Sequence, residues 1–168
     1  IMLQILQDYG LMLLVGEYPH GKLGGLALTL IISFSSLIVT FPCSVLIALA
    51  STGKSKPLRM IATGFVNCVR AIPLLMLIFW AYFALPVVIG VPIDATLTLI
   101  IAIVIYQTAY LGEIIAAGIE GLPKGQREAA EALGLGYIPT TLRIILPQAL
   151  FNVIPGIVNQ LTTIIKES

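Results

Sequence analysis

Residues Leu23–Ala50 read LGGLALTLIISFSSLIVTFPCSVLIALA, a run with no charge and one interruption, Pro42. The hydrocarbon core of a bilayer takes about 20 apolar residues of α-helix, and this run exceeds that length. Lipid offers no partner to backbone N–H and C=O groups, so a segment of this kind crosses as a helix. Pro42 then reads as a kink.

Three further stretches outward from this one meet the same test, taken as approximately 71–90, 96–119 and 141–165. The second holds Pro73, Trp80, Tyr82 and Pro86, the third carries Glu113 in its distal part, and the fourth contains Pro147 and Pro155-Gly156. The expected fold is all-α: one polytopic transmembrane helix bundle over residues 1–168, with at least four spans. Composition agrees. The 168 residues are 58% hydrophobic and 10% charged, with mean hydropathy +1.04, whereas soluble domains carry roughly a quarter charged residues. A water-soluble domain of this size buries only about two-thirds of the surface its unfolded chain exposes, so lipid must solvate part of this one.

Loop charges set the orientation. Lys54, Lys56 and Arg59 follow the first span, and Lys124, Arg127 and Arg143 lie between the third and fourth, while the loop after the second offers only Asp94. The basic loops face the cytoplasm and the amino terminus faces out, with Lys22 a minor exception. Residues 1–18 are too short to span, carry Asp8 and lack a basic leader; they read as a helix lying in the interface. The chain starts at Ile1 before Met2 and stops at Ser168 just after an apolar run, and is expected to be a piece of a longer one.

Several chemistries are excluded. His20 is the one histidine, and Cys43 and Cys68 have no metal spacing. No nucleophile with a base occurs inside the spans, as a membrane-embedded hydrolase would require. Ser51-Thr52-Gly53-Lys54-Ser55 lacks the paired glycines of a phosphate-cradling loop and reads as a basic turn. A net charge of +1 gives no footprint for nucleic acid. The chain is expected to be no enzyme and to hold no cofactor or metal.

The segment between the third and fourth spans carries the function. It reads Gly121-Leu-Pro-Lys-Gly-Gln-Arg-Glu-Ala-Ala-Glu-Ala-Leu-Gly134 and continues to Pro139. Pro123 suits a helix start and Gly134 a position just past a helix end, giving a short helix at approximately 123–134 outside the membrane. Its flank of Ala129, Ala130 and Ala132 would let another protein approach the backbone.

Here the sequence resembles the permeases of ATP-driven (ABC) importers. Their signature is Glu-Ala-Ala, three residues, Gly, nine residues, then Ile-x-Leu-Pro; Glu128-Ala129-Ala130, Gly134 and Ile144-Ile145-Leu146-Pro147 stand at those spacings. Further stretches are similar to the polar amino-acid (histidine/glutamine/glutamate-type) subfamily: Arg70-Ala-Ile-Pro73-Leu-Leu, Ala109-Tyr110-Leu-Gly-Glu113-Ile-Ile-Ala-Ala-Gly118, Pro123-Lys-Gly-Gln126, and Lys166-Glu167-Ser168. Two positions depart: Ala116 stands where relatives usually carry Arg, and Asn67 where many carry Glu. The family's fifth span has no counterpart here.

The resemblance implies a type I ABC importer transmembrane domain in the bacterial inner membrane, working by alternating access. Its partners would be cytoplasmic ABC ATPase subunits, which bind the ATP and magnesium, a second permease subunit, identical or homologous, and a periplasmic amino-acid-binding protein. The short helix would be the coupling helix, with Gln126, Arg127, Glu128, Ala129, Ala130, Glu131, Leu133 and Gly134 meeting the ATPase. The alternative is an ion-coupled secondary carrier acting without an ATPase.

Ionisable residues at a span are functional candidates by default, and broken helices mark transporter binding sites. Lys166 and Glu167 follow the span broken at Pro155-Gly156, and a zwitterionic amino acid has a partner for each. The resemblance adds the middle of the third span, so the candidate substrate-binding residues are Tyr106, Gln107, Asn159, Gln160, Lys166 and Glu167. Lys166 and Glu167 also read as interfacial anchors, Gln107 and Asn159 as interhelical hydrogen-bonding groups, and Glu113 as structural or gating. The neutrality of Gln160 disfavours a strictly cationic substrate and favours a neutral or acidic amino acid.

Overall fold

The computed structural model describes residues 2–18, 21–92 and 94–167, with side chains from Tyr9 and up to Lys166. His20 and Ser168, both named above, lie outside the described residues. The elements run α1 (Met2–Val15), α2 (Gly25–Thr52), α3 (Lys56–Arg70), α4 (Leu74–Ile89), α5 (Ala95–Glu120), α6 (Lys124–Ala132), α7 (Tyr137–Thr140), a π-helical turn (Thr141–Ile145), α8 (Leu146–Asn152) and α9 (Ile154–Glu167). Apart from one bridge between Gly16 and Leu23, the described residues form no β structure.

Two helices are by themselves long and apolar enough to cross a membrane, α2 and α5, with 28 and 26 residues. Two bent pairs pass the same test together: α3 with α4, turned by 101°, and the Tyr137–Asn152 segment with α9, turned by 63°. The first elbow was not expected. Residues 56–70 read as a basic cytoplasmic loop, yet they form α3, with Pro57 in its first turn and Ala62, Val66 and Val69 buried along one face. Ser55 and Pro57 start it as helix physics requires, and Pro73, held at φ −60°, stops it and begins α4. Alone, the 16 residues of α4 reach only about 24 Å, short of the roughly 30 Å hydrocarbon core. The second bend lies at Val153, just before Pro155.

The π-helical turn has a chemical cause. The Leu146 amide reaches back to the Thr141 carbonyl, and Pro147 next to it has no N–H to continue the ordinary ladder. The Ile144–Pro147 motif therefore marks a change in helical winding.

The central helix is α5, which packs against α2, α3, α4, α8 and α9, most extensively against α2. Their seam is made of small and hydroxylated residues: Ser33, Ser36, Thr40, Ser44 and Ala48 of α2 are buried, as are Thr98, Ala102, Thr108 and Gly112 of α5. Ser44 Oγ donates to the Thr40 carbonyl at 2.8 Å and to the Thr108 carbonyl at 3.4 Å, so it bonds across the seam. Such residues let backbones approach closely where lipid supplies no hydrophobic drive. Leu111, Ile115 and Ile119 of α5 join Ala48, Ile145 and Ala149 in one apolar cluster toward the end of α5, and Ile103 joins Ile32 and Ile164 in another nearer its start.

Candidate functional site

The segment after α5 folds as a separate short helix. Pro123 caps the start of α6 and Leu133 its end. Gly134 follows at φ +77°, a left-handed conformation that glycine adopts without penalty. Its amide bonds the Glu131 carbonyl at 2.9 Å while the Leu135 amide bonds the Ala130 carbonyl at 3.1 Å. These paired bonds satisfy the last carbonyls of the helix and terminate it. Ala130 is buried and α6 packs on α7 and the π-helical turn. The alanine flank is thus divided: Ala130 faces the chain itself, while Gln126, Glu128, Ala129, Glu131, Ala132, Leu133 and Gly134 are exposed and Arg127 is half-buried. Behind the helix, Thr52, Glu120, Lys124, Arg127, Glu128 and Ile145 line a cavity of about 370 Å³.

The six candidate substrate residues separate into three groups. Gln107 is fully buried and accepts a hydrogen bond from the Gln160 amide, tying α5 to α9. Tyr106 turns toward α3: it packs against Val66, Val69 and Ala109, stacks on Tyr110 at 4.7 Å between centroids, and its hydroxyl lies 3.2 Å from that of Tyr110. Asn159 and Lys166 are exposed on α9. The Glu167 side chain lies outside the described residues. With Ile164 buried between α9 and α5, Gln160 and Ile164 mark the packed face of α9. Asn159, Thr162, Thr163 and Lys166, at helical spacing, mark another. Thr162 and Thr163 went unnoticed in the sequence; the i, i+3, i+4, i+7 spacing from Asn159 was the signal that would have found them. Their hydroxyls bond the carbonyls of Val158 and Asn159 at 3.0 and 3.2 Å, four residues back, as helical Ser and Thr commonly do.

Two motifs that the sequence separates come together at the α3–α4 elbow. Arg70, in the last turn of α3, forms an ion pair with Glu113 of α5 and lies 5.1 Å from the centroid of the Tyr110 ring. Asn67 and Ala116, the two departures noted above, line one cavity of about 260 Å³ together with Ser51, Thr63, Glu113 and Glu120. The two substitutions thus open onto the same space.

With this geometry in view, residues 40–168 match the model of the family described as "Binding-protein-dependent transport system inner membrane component". The chain belongs to this family. It is 37% identical over 147 residues to an inner membrane amino-acid ABC transporter permease protein of Escherichia coli (strain K12), covering 86% of this chain and 40% of that protein. It is 35% identical to a glutamate/glutamine/aspartate/asparagine transport system permease protein of Rhodobacter capsulatus, covering 90% of this chain and 36% of that one. These first relatives are thus much longer than the chain, which spans well under half of each. A probable glutamine ABC transporter permease of Bacillus subtilis (strain 168) is 35% identical, with 92% and 72% of the two chains covered. Among solved structures, the crystal structure of an amino acid ABC transporter with histidines aligns with a TM-score of 0.80 at 28% identity, covering 99% of this chain and 73% of that one. The inward-facing MetNI methionine ABC transporter, at 22% identity and TM-score 0.66, covers 84% of this chain and 67% of its own and shares the fold.

Proposed function

We propose that the chain is the membrane-spanning permease subunit of an ATP-driven importer that moves polar amino acids across the bacterial inner membrane by alternating access. The observation that carries this reading is α6: a helix outside the spans, closed at Gly134, with Glu128, Ala129, Ala132 and Leu133 turned outward. A small-residue flank beside an exposed leucine suits a cleft in a partner that grips the backbone. That partner is a cytoplasmic ABC ATPase, which holds the ATP and magnesium; this chain contributes no cofactor of its own. A second permease subunit, identical or homologous, completes the pathway, and a periplasmic binding protein delivers the amino acid. The names of the relatives at 35–38% identity support the substrate class, ranging over glutamate, glutamine, aspartate, asparagine and arginine.

The polar face of α9 is the proposed pathway lining, because its exposed Asn159 and Lys166 are unfavourable against lipid. Lys166 is the one charged side chain of that face among the described residues, and it suits a substrate carboxylate. A pathway cation disfavours a cationic substrate side chain and so supports neutral or acidic amino acids, whereas the Gln160 amide lies on the packed face. That amide is engaged with Gln107, so its neutrality serves helix packing. Tyr106, packed toward α3 beside Tyr110, is a proposed residue of the facing wall.

The test is uptake into vesicles containing the chain, its ATPase and the second permease subunit, supplied with the amino-acid-binding protein. Glu128→Arg, or a bulky residue at Ala129, is expected to leave ATP hydrolysis running while amino-acid uptake falls at least tenfold, the equivalent of about 1.4 kcal/mol of lost coupling. Unchanged uptake, or a cysteine at Ala129 that never crosslinks to an ATPase, would retire the reading in favour of a carrier acting alone. Arginine as the strongest competitor would overturn the neutral-or-acidic assignment only.

A further inference from the structure

One aromatic ring gathers three parts of the cytoplasmic surface. Tyr137 opens α7 and with it the bent pair that ends in α9. The Lys54 ammonium, from the turn after α2, lies 4.9 Å from the centroid of its ring. The Arg127 guanidinium, from α6, lies 5.5 Å from the same centroid. Both fall within the roughly 6 Å over which a cation is attracted to an aromatic face. The turn also comes close to the hydroxyl end of the ring: a Cβ on Gly53 would sit 3.9 Å from Tyr137 Oη. Two cations repel each other, and the electron-rich face of a shared ring is an arrangement that tolerates both.

The backbone of α6 packs on α7 and the π-helical turn, the elements that follow it in the chain. A push on α6 therefore has an obvious route forward, into α8 and α9. The Lys54–Tyr137–Arg127 cluster supplies a route backward, to the cytoplasmic end of α2. We infer that Tyr137 is a positioning residue that ties α6 to the end of α2, so that a displacement of α6 is delivered to α2 and to the bent pair ending in α9 together. The inference rests on the reading of α6 as the element a partner ATPase moves. The ring face carries the tie, and the hydroxyl is dispensable.

The experiment uses the chain reconstituted with its ATPase, the second permease subunit and the binding protein, with uptake and hydrolysis measured on the same vesicles. Tyr137→Leu is expected to keep ATPase co-purification and hydrolysis while substrate moved per ATP falls about fivefold or more. Tyr137→Phe and Tyr137→Trp, which keep an aromatic face, are expected to retain coupling close to the parent. Spin labels at Ser55→Cys and Gly125→Cys, with Cys43 and Cys68 replaced, should report one narrow distance in the parent and a broadened one in Tyr137→Leu. If Tyr137→Leu lowers the amount of folded protein, Lys54→Gln takes its place, since it removes one cation and leaves the ring packed; it is expected to lower coupling as well. Parent-like coupling in Tyr137→Leu or in Lys54→Gln overturns the tie, and so does a Tyr137→Phe variant as uncoupled as Tyr137→Leu. A parent chain that binds no ATPase overturns the reading of α6 itself, and is told apart because the parent fails too.

Discussion

Gly118 and Gly125 differ by seven positions in the chain and completely in surroundings, and the contrast is measurable. A Cβ added at Gly118 would lie 2.5 Å from Val153 Cγ1 and 3.0 Å from the Ala149 carbonyl oxygen, so α5 meets α8 backbone to backbone there. The valine tip can turn away, but the carbonyl cannot. Gly118→Val is expected to destabilise the bundle by about 1–3 kcal/mol, as overpacking typically does, seen as a lower unfolding temperature in detergent. Gly125 has nothing within 4 Å, and Gly125→Ala is expected to leave that temperature unchanged or raise it slightly. The Gln107–Gln160 bond belongs to the same scale. Gln107→Ala leaves the Gln160 amide facing a buried site without its acceptor, which costs about 1–3 kcal/mol. The double change Gln107→Leu/Gln160→Leu is expected to recover part of that loss, read from a double-mutant thermal unfolding cycle.

The elbow between α3 and α4 turns on an ion pair. Arg70 and Glu113 belong to different motifs and different helices, and their side chains are 39% and 47% exposed. Exposure at that level limits the pair to roughly 0.5–1 kcal/mol, so its value lies in holding the elbow on α5. Arg70→Ala and Glu113→Ala are expected to destabilise less than additively when combined, with a coupling term in that range, and to raise hydrolysis in the absence of substrate. Fully additive effects would mean that the pair does not act as a unit. The distal spans show the same logic: proline sets where α4 and α9 begin, but the angles of 101° and 63° come from what each segment packs against.

At the scale of the molecule, the two ends of α5 are capped by different chemistry. Asp94 accepts hydrogen bonds from the Thr96 and Leu97 amides at 2.9 and 3.4 Å. The Thr96 amide first, and then that of Leu97, hold its carboxyl below the usual 3.8. A carboxyl lowered in the fold contributes stability at pH values above its unfolded value, and that contribution fades as pH falls through the lower folded value. The contribution of this group to stability is therefore expected to be constant from about pH 5 to 8. Unfolding midpoints of the parent and of Asp94→Asn, compared downward from there, should converge below about pH 4, since the asparagine caps without titrating. A gap that persists to lower pH would argue against the charged cap. The C-terminal end, by contrast, runs into α6, where the proposed work is done.

Much of this architecture was legible in the chain itself. Uncharged runs such as Leu23–Ala50 demand helices in lipid, the basic loops orient them, and Pro123 and Gly134 bound α6, because backbone satisfaction and glycine's left-handed freedom are local constraints. Residues 56–70 were misread as a loop because α3 is amphipathic and its apolar face, Ala62, Val66 and Val69, has meaning only against α5. The grouping of the site was equally hidden. Gln107 and Gln160 are far apart in sequence, as are Arg70 and Glu113, or Lys54, Arg127 and Tyr137. Which polar side chains are spent on one another and which remain open depends on how far each helix turns when packed. That rotation is decided by long-range contacts, and only the tertiary structure contains it.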